Sequence, residues 1–281
     1  MTLCIAWVRK KRTSNEICIV ADSCFSGGQR FMAAPKVFPL KRNDCAIACA
    51  GLTTYSFPVI EHIRQSIFLN QSLLDRSKDL TDLLHWIVDI TNKVLFQETD
   101  KQVGIVGPEF SMIIAGYSWK YSKPIIREIK YNRNTKLMYA VKQPTIKRTQ
   151  FALIGDNTIE ARRKIFLKLD SDGIKNDGEV DMQPLDVLME YINDPLISSI
   201  DGNPQMVKIY PFMNVLPFGF IDKEKNITYM GRPLTDYEII PYPIINIETK
   251  EQIYMKEVRE DLKRKHETPK PLFKLHDDAL V

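Results

Sequence analysis

The chain reads as an α+β protein, a four-layer αββα sandwich of two stacked antiparallel sheets, and three observations predict it. Strand-like and helix-like segments fall in blocks: strands, two helices, strands, two helices, strands. A block of strands needs a partner layer on each hydrophobic face, so two sheets stacked face to face with helices outside satisfy this order, and alternating βα units of a parallel sheet do not. The 281 residues are 44% apolar, enough to fill a core of that size. No internal repeat of solenoid period is present.

The elements follow in order. Leu3 to Val8 and Ile17 to Ala21 are short β-rich runs around a polar basic turn with Ser14-Asn15, a hairpin signature. Ala46 to Ala50 is a further strand. Helices are expected from about Tyr55 to Leu69 and from Leu80, where Leu80, Leu83, Leu84, Ile87, Val88, Val94 and Leu95 keep helical spacing. Ser111 to Tyr117, Ile125 to Tyr131 and Phe151 to Ile154 read as strands. Asn157 to Leu169 reads as a helix, and a second begins near Pro184, since proline suits a first helical turn. Met206 to Tyr210, Phe218 to Ile221 and Ile227 to Met230 close the series. Residues 1–235 form the expected domain and 236–281 a C-terminal extension. From Pro241 on, the extension carries eight Lys/Arg and eight Asp/Glu, with Tyr254 to His266 a candidate charged helix.

Composition narrows the function. With 39 basic and 35 acidic residues the net charge is +4, too mild to argue a nucleic-acid or membrane partner. No apolar run approaches the roughly 18 to 20 residues of a membrane span. The basic run Arg9 to Arg12 follows the first apolar stretch instead of preceding it, the reverse of a secretory signal, so a soluble cytoplasmic protein is expected. Five cysteines, Cys4, Cys18, Cys24, Cys45 and Cys49, have no metal or redox spacing and suit reduced thiols. The four histidines are scattered, and the acidic run from Asp170 to Glu179 lacks calcium-loop spacing, so neither metal nor cofactor is expected. Arg162-Arg163-Lys164 reads as the exposed face of its helix.

Thr2 follows Met1, and a small second residue permits removal of the methionine. A terminal threonine carries a hydroxyl nucleophile and an α-amine whose intrinsic pKa of about 8 lets it serve as its own base. Ala21-Asp22-Ser23 ends a strand, Gly27-Gly28 marks a turn, Pro35-Lys36-Val37-Phe38 begins an apolar segment, and Ala48-Cys49-Ala50-Gly51 ends the next. Alone, Asp22 reads as a turn cap and Lys36 as a solvated edge residue. The ordered set points to function.

In that order and spacing the chain resembles the β-subunits of the proteasome and the related bacterial two-component peptidase, members of the N-terminal nucleophile hydrolases. The resemblance runs from Thr2 to Met230 and is sharpest from Thr2 to Thr54. It implies the αββα fold, Thr2 as nucleophile, Asp22 as the strand-end carboxylate, Lys36 as the essential lysine and the Gly51 amide as oxyanion donor. A lysine cation beside the amine disfavours its protonated form, and an aspartate holds that lysine charged and in place. Glycine leaves the approach to its N–H open. The resemblance also implies a substrate pocket of Phe25, Ala34, Phe38, Cys49 and Thr53, mostly apolar, where burying a medium apolar side chain is worth about 1.5–3 kcal/mol.

Departures from the family pattern are specific. Asp156 stands where the family has a serine, and is expected to cap the helix from Asn157 and to accept a hydrogen bond from the terminal amine. The later Asp-x-x-Ser-Gly motif is replaced by Ser198 to Gln205, where Ser199 or Asp201 takes its place. Leu3 replaces the usual small hydroxyl residue, and no propeptide is expected before Thr2. The resemblance therefore implies a divergent threonine peptidase acting on peptide or unfolded protein. It further implies a ring-like homo-oligomer and admits an ATPase or regulatory partner. An amidohydrolase of a small amide and a non-catalytic scaffold subunit are the alternatives.

Overall fold

The computed structural model describes residues 2–10, 15–25, 29–98, 109–174 and 179–258. β1 (Leu3–Lys10) and β2 (Asn15–Ala21) pair antiparallel with Cys4 opposite Ala21 and Arg9 opposite Glu16. The middle of their connection, including Ser14, lies outside the described residues, as do Gly27-Gly28 and part of the acidic loop before Glu179. β3 (Val37–Pro39) and β4 (Cys45–Gly51) lead to α1 (Thr53–Leu69), the short α2 (Gln71–Leu74) and α3 (Leu80–Leu95). Next come β5 (Phe110–Ser118), β6 (Lys123–Asn132), β7 (Leu137–Val141) and β8 (Phe151–Gly155), then α4 (Thr158–Ser171) and α5 (Gln183–Ile192). β9 (Gln205–Tyr210), β10 (Asn214–Ile221), β11 (Ile227–Tyr229), β12 (Arg232–Pro233), β13 (Ile244–Asn246) and β14 (Gln252–Ile253) complete the order.

The protein is a mixed α/β structure with two sheets. The larger has nine strands along the path β12-β11-β10-β9-β2-β1-β8, with β13 beside β10 and β14 beside β13; the smaller runs β3-β4-β5-β6-β7. Period-2 alternation divides their side chains between separate cores. Cys4, Ala6 and Val8 of β1 share a cluster with Ala46, Ala48 and Ala50 of β4 and Ile113 and Ala115 of β5. The opposite face of β1, Leu3, Ile5 and Trp7, packs with Ile165 and Leu169 of α4 and Leu185 and Leu188 of α5. Cys45, Ile47 and Cys49 of β4 pack with Ile60 and Ile63 of α1 and Leu83 and Ile87 of α3.

Local signals set the helices. Asp79 caps α3 by accepting from the Thr81 amide, Asp82 answers to the Asp79 amide, and Leu80, Leu83, Leu84 and Ile87 form the buried stripe. Pro184 stands in the first turn of α5. One strand pairing departs from the antiparallel expectation. β13 runs parallel to the end of β10, with Gly219 opposite Ile244, because a long connection after β12, not a hairpin, returns the chain to it. Part of the C-terminal extension thereby joins the larger sheet. Ile240, Ile244, Met255 and Val258 bury against Ile221, with Ile227 and Tyr229 at the margin. The candidate helix from Tyr254 is helical at 255–258, and its remainder lies outside the described residues. No helix among the described residues is long and apolar enough to cross a membrane.

Candidate active site

The register brings distant residues to one end of each sheet. Thr2 precedes β1, and Asp22 follows β2, whose Ala21 lies opposite both Cys4 of β1 and Gln205 of β9. β8 ends at Gly155 opposite Leu3. In the smaller sheet Lys36 precedes β3 and Gly51 ends β4, and the Cys49 amide donates to the Lys36 carbonyl at 3.0 Å. Thr2, Asp22 and Lys36 are all buried.

The peptide unit after Thr2 is held on both sides. Its carbonyl accepts from the Asp156 amide at 2.7 Å, and its N–H, that of Leu3, donates to Asp22 Oδ1 at 2.9 Å. Asp22 Oδ2 accepts from Lys36 Nζ at 2.8 Å, from the Cys24 amide at 3.1 Å and from the Asp201 amide at 3.4 Å. Lys36 Nζ also donates to the Cys24 carbonyl. Burial raises the Asp22 carboxyl above its ordinary range, opposed first by Lys36 and then by the two amides. A buried ion pair is stable only when its remaining hydrogen-bonding capacity is met, and this one is ringed with partners.

Gly155 adopts φ +99°, and a Cβ there would lie 1.9 Å from the Thr2 carbonyl oxygen, so the turn that seats Thr2 admits no side chain. Gly51 adopts φ +104°, and its Cβ would meet the Glu109 carbonyl oxygen at 2.2 Å. Backbone approach thus requires glycine at Gly51 independently of any chemistry. It is exposed where β4 turns into α1.

Of the expected pocket residues, Phe25 and Phe38 meet through a third ring, Phe57 of α1, with centroids 5.4 and 6.1 Å away. Lys36 Nζ lies 5.8 Å from the Phe25 ring centroid. Ala34 is buried and its carbonyl accepts from Gln205 Nε2 at 2.7 Å. Cys49 packs into the core under α1 and α3, and burial pushes its thiol up to about 12, which keeps it protonated. Thr53 is half-buried in the first turn of α1.

Two residues fall differently from expectation. Asp156 does not cap α4: Asn157 is the cap, in left-handed conformation and without a side-chain cap bond. The Asp156 amide donates to the Thr2 carbonyl, and its Oδ2 is buried with no hydrogen-bond partner among the described residues. Ser199 lines a cleft with residues of α4 and α5. The contact with Asp22 comes instead from the backbone of Asp201, whose side chain pairs with Arg30.

Gln205 and Phe57 are the residues that sequence reasoning missed. Gln205, fully buried, donates to the Asp22 and Ala34 carbonyls at 3.1 and 2.7 Å and accepts from the Lys36 amide at 3.0 Å. It pins the Asp22 and Lys36 segments to each other across the two sheets. A glutamine at the start of a strand carries no chemical signature. Phe57 was legible only as one of the aromatic residues in an amphipathic helix. Comparison of the sequence with protein-family models and with curated proteins found no match.

Proposed function

We propose that the chain is a threonine-nucleophile hydrolase of the N-terminal nucleophile type, cleaving peptide bonds through an ester on Thr2 Oγ. The observation that carries this reading is the Asp22 carboxylate, which accepts from the Lys36 ammonium on one oxygen and from the Leu3 amide beside Thr2 on the other. Removal of Met1 gives Thr2 a free α-amine. With the Lys36 cation nearby the amine stays neutral near pH 7 and takes the Oγ–H proton as Oγ attacks the substrate carbonyl carbon. The C–N bond then breaks, the amine proton passes to the leaving nitrogen, and water hydrolyses the ester. The Gly51 amide is the proposed oxyanion donor.

The three cores, running from α4 and α5 through the large sheet and the small sheet to α1 and α3, support a four-layer αββα sandwich. The Phe25, Phe38 and Phe57 cluster beside Lys36 supports a preference for an apolar residue before the cut. A ring-like homo-oligomer, served by an ATPase or regulatory partner, belongs to the same reading. The test is the intact mass of the purified protein before and after treatment with a peptide electrophile that requires both hydroxyl and α-amine. Loss of Met1 and a single adduct, absent in Thr2→Ala, is expected. A protein that turns over peptides while retaining Met1 ends the mechanism.

A further inference from the structure

An open cleft of about 430 Å³ lies between the start of α4 and the end of α5, bordered by the loop that follows α5. That volume lies within the ordinary range for small-molecule sites. One wall holds a buried polar group that no described residue satisfies. The Tyr191 hydroxyl is buried, on a residue 2% exposed, with no hydrogen-bond partner among the described residues. Such a group costs stability unless something met it, and native structures leave few of them. Ser198, Ser199 and Asn157 line the same cleft.

Lys164 brings an ammonium group to the cleft. Lys164 Nζ sits 4.6 Å from the Tyr191 ring centroid and shares Glu190 with Lys168, at 3.6 and 2.8 Å, so one carboxylate serves two ammonium groups. Glu160, the acid in the wall, is paired with Arg163 through two hydrogen bonds of 2.8 and 2.6 Å. Burial first, and then Glu160 and Glu190, raise the Tyr191 hydroxyl, which keeps it a neutral donor. Leu196, 90% exposed, and Ile197 add an apolar lip.

We propose that this cleft binds a small organic anion, a carboxylate or a phosphate monoester with an apolar body, its acid oxygens met by Tyr191, Ser198, Ser199 and Lys164. The body lies on Leu196 and Ile197. Its test needs no hydrolysis.

The experiment is calorimetric titration of the full-length protein with 3-phenylpropionate, phenyl phosphate and the neutral 3-phenylpropanamide, repeated on Tyr191→Phe and Lys164→Met. Saturable binding of at least one anion, at one site per chain, is expected, with each variant weakening it about tenfold and the amide binding at least that much more weakly. Saturation by phenyl phosphate alone assigns a phosphoryl ligand, and by 3-phenylpropionate alone a carboxylate. Tyr191→Phe should melt at or above the wild-type temperature, because the hydroxyl it removes has no partner among the described residues. No saturation by either anion below about 10 mM, or equal binding by wild type and both variants, overturns the proposal. So does a Tyr191→Phe protein that melts several degrees lower, since the hydroxyl would then serve the fold.

Discussion

Two buried lysine–carboxylate clusters stand at opposite ends of β1, β2 and β9. At one end Asp22 joins Lys36 next to Thr2; at the other Glu16 joins both Arg9, at 2.6 Å, and Lys208, at 3.2 Å, and Arg9 also pairs with Asp181. Leu3 and Arg9 mark the two ends along β1, roughly 20 Å apart at about 3.3 Å per residue. Lys36 and Lys208 are equally buried. The clusters differ in what the carboxylate holds. Glu16 is divided between two cations, and Lys208 also rests over the Phe218 ring at 4.8 Å, an arrangement of side chains alone. Asp22 couples its cation to the backbone that carries Thr2. A buried ion pair is therefore no mark of function by itself; the proposed function rests on the Thr2 backbone fixed beside one.

The largest effect should come from breaking the site end chemically. Thr2→Ala is expected to lower kcat/KM for a peptide substrate by 10⁴-fold or more, on the order found for a removed nucleophile, with a melting temperature close to wild type. Lys36→Met should lose activity as completely and also lose stability, because Asp22 is left buried and unpaired, at about 3–5 kcal/mol. Near wild-type turnover in folded Lys36→Met would erase the distinction between the two ends.

The far end should respond in stability alone. Glu16→Gln strands Lys208 and is expected to cost about 3–5 kcal/mol in denaturant unfolding while leaving kcat/KM unchanged. Burial pushes the Glu16 carboxyl up, but Lys208 and then Arg9 outweigh it, so it titrates below its ordinary value. For a lowered carboxyl the sign is fixed. Its contribution is present above the unfolded value of about 4.3 and is lost as pH falls through the lowered folded value. The gap in unfolding free energy between wild type and Glu16→Gln should therefore close on acidification below about pH 4. A gap that stays constant to low pH would mean that the ion pairs do not carry the stability of this end.

A backbone change sharpens the comparison further. Gly155→Ala meets both a positive φ and the Thr2 carbonyl, so it should cost about 2 kcal/mol or more and impair hydrolysis by moving Thr2. Gly173→Ala is the control: its φ of +68° carries strain, but among the described residues nothing beyond its chain neighbours lies within 4 Å of the added Cβ, so activity should hold. Equal losses of activity in both would show that the Thr2 seat does not depend on the Gly155 contact.

Legibility in the sequence followed the same division. Asp22, Lys36 and Gly51 stand at strand ends, where apolar runs break, and their order there carries the family resemblance that singles them out. Glu16 and Lys208 sit inside strands and read as ordinary alternation, because only the pairing of β2 with β9 brings them together. Gln205 was hidden for the same reason, its three partners being backbone groups that no side-chain pattern announces. Strand and helix order was readable from periodicity, whereas the parallel pairing of β13 depended on a return path that local sequence does not encode. The loop from Ser198 to Gln205 offers both Ser199 and Asp201, and its geometry gives the contact with Asp22 to the Asp201 backbone.

Asp156 carries the smallest expected effect and separates chemistry from folding at the site end. Its amide holds the Thr2 carbonyl, an interaction that any residue other than proline keeps, while its Oδ2 is buried with no partner among the described residues. Removing an acceptor that no described residue meets is neutral or stabilising, and Asp156 does not stand at the cap position of α4, so Asp156→Ser should change stability by no more than about 0.5 kcal/mol. Hydrolysis should register the change differently. On the proposed mechanism the Thr2 amine must be neutral to act as base, and a carboxylate close by favours its ammonium form, which moves the ascending limb of the pH profile upward. Asp156→Ser should therefore shift that limb of kcat/KM to lower pH with little change at the plateau. The free-enzyme profile is the right measurement because the amine ionises before substrate binds. Superimposable profiles would mean that the Asp156 charge does not reach the amine, leaving its backbone contact with Thr2 as the whole of its role.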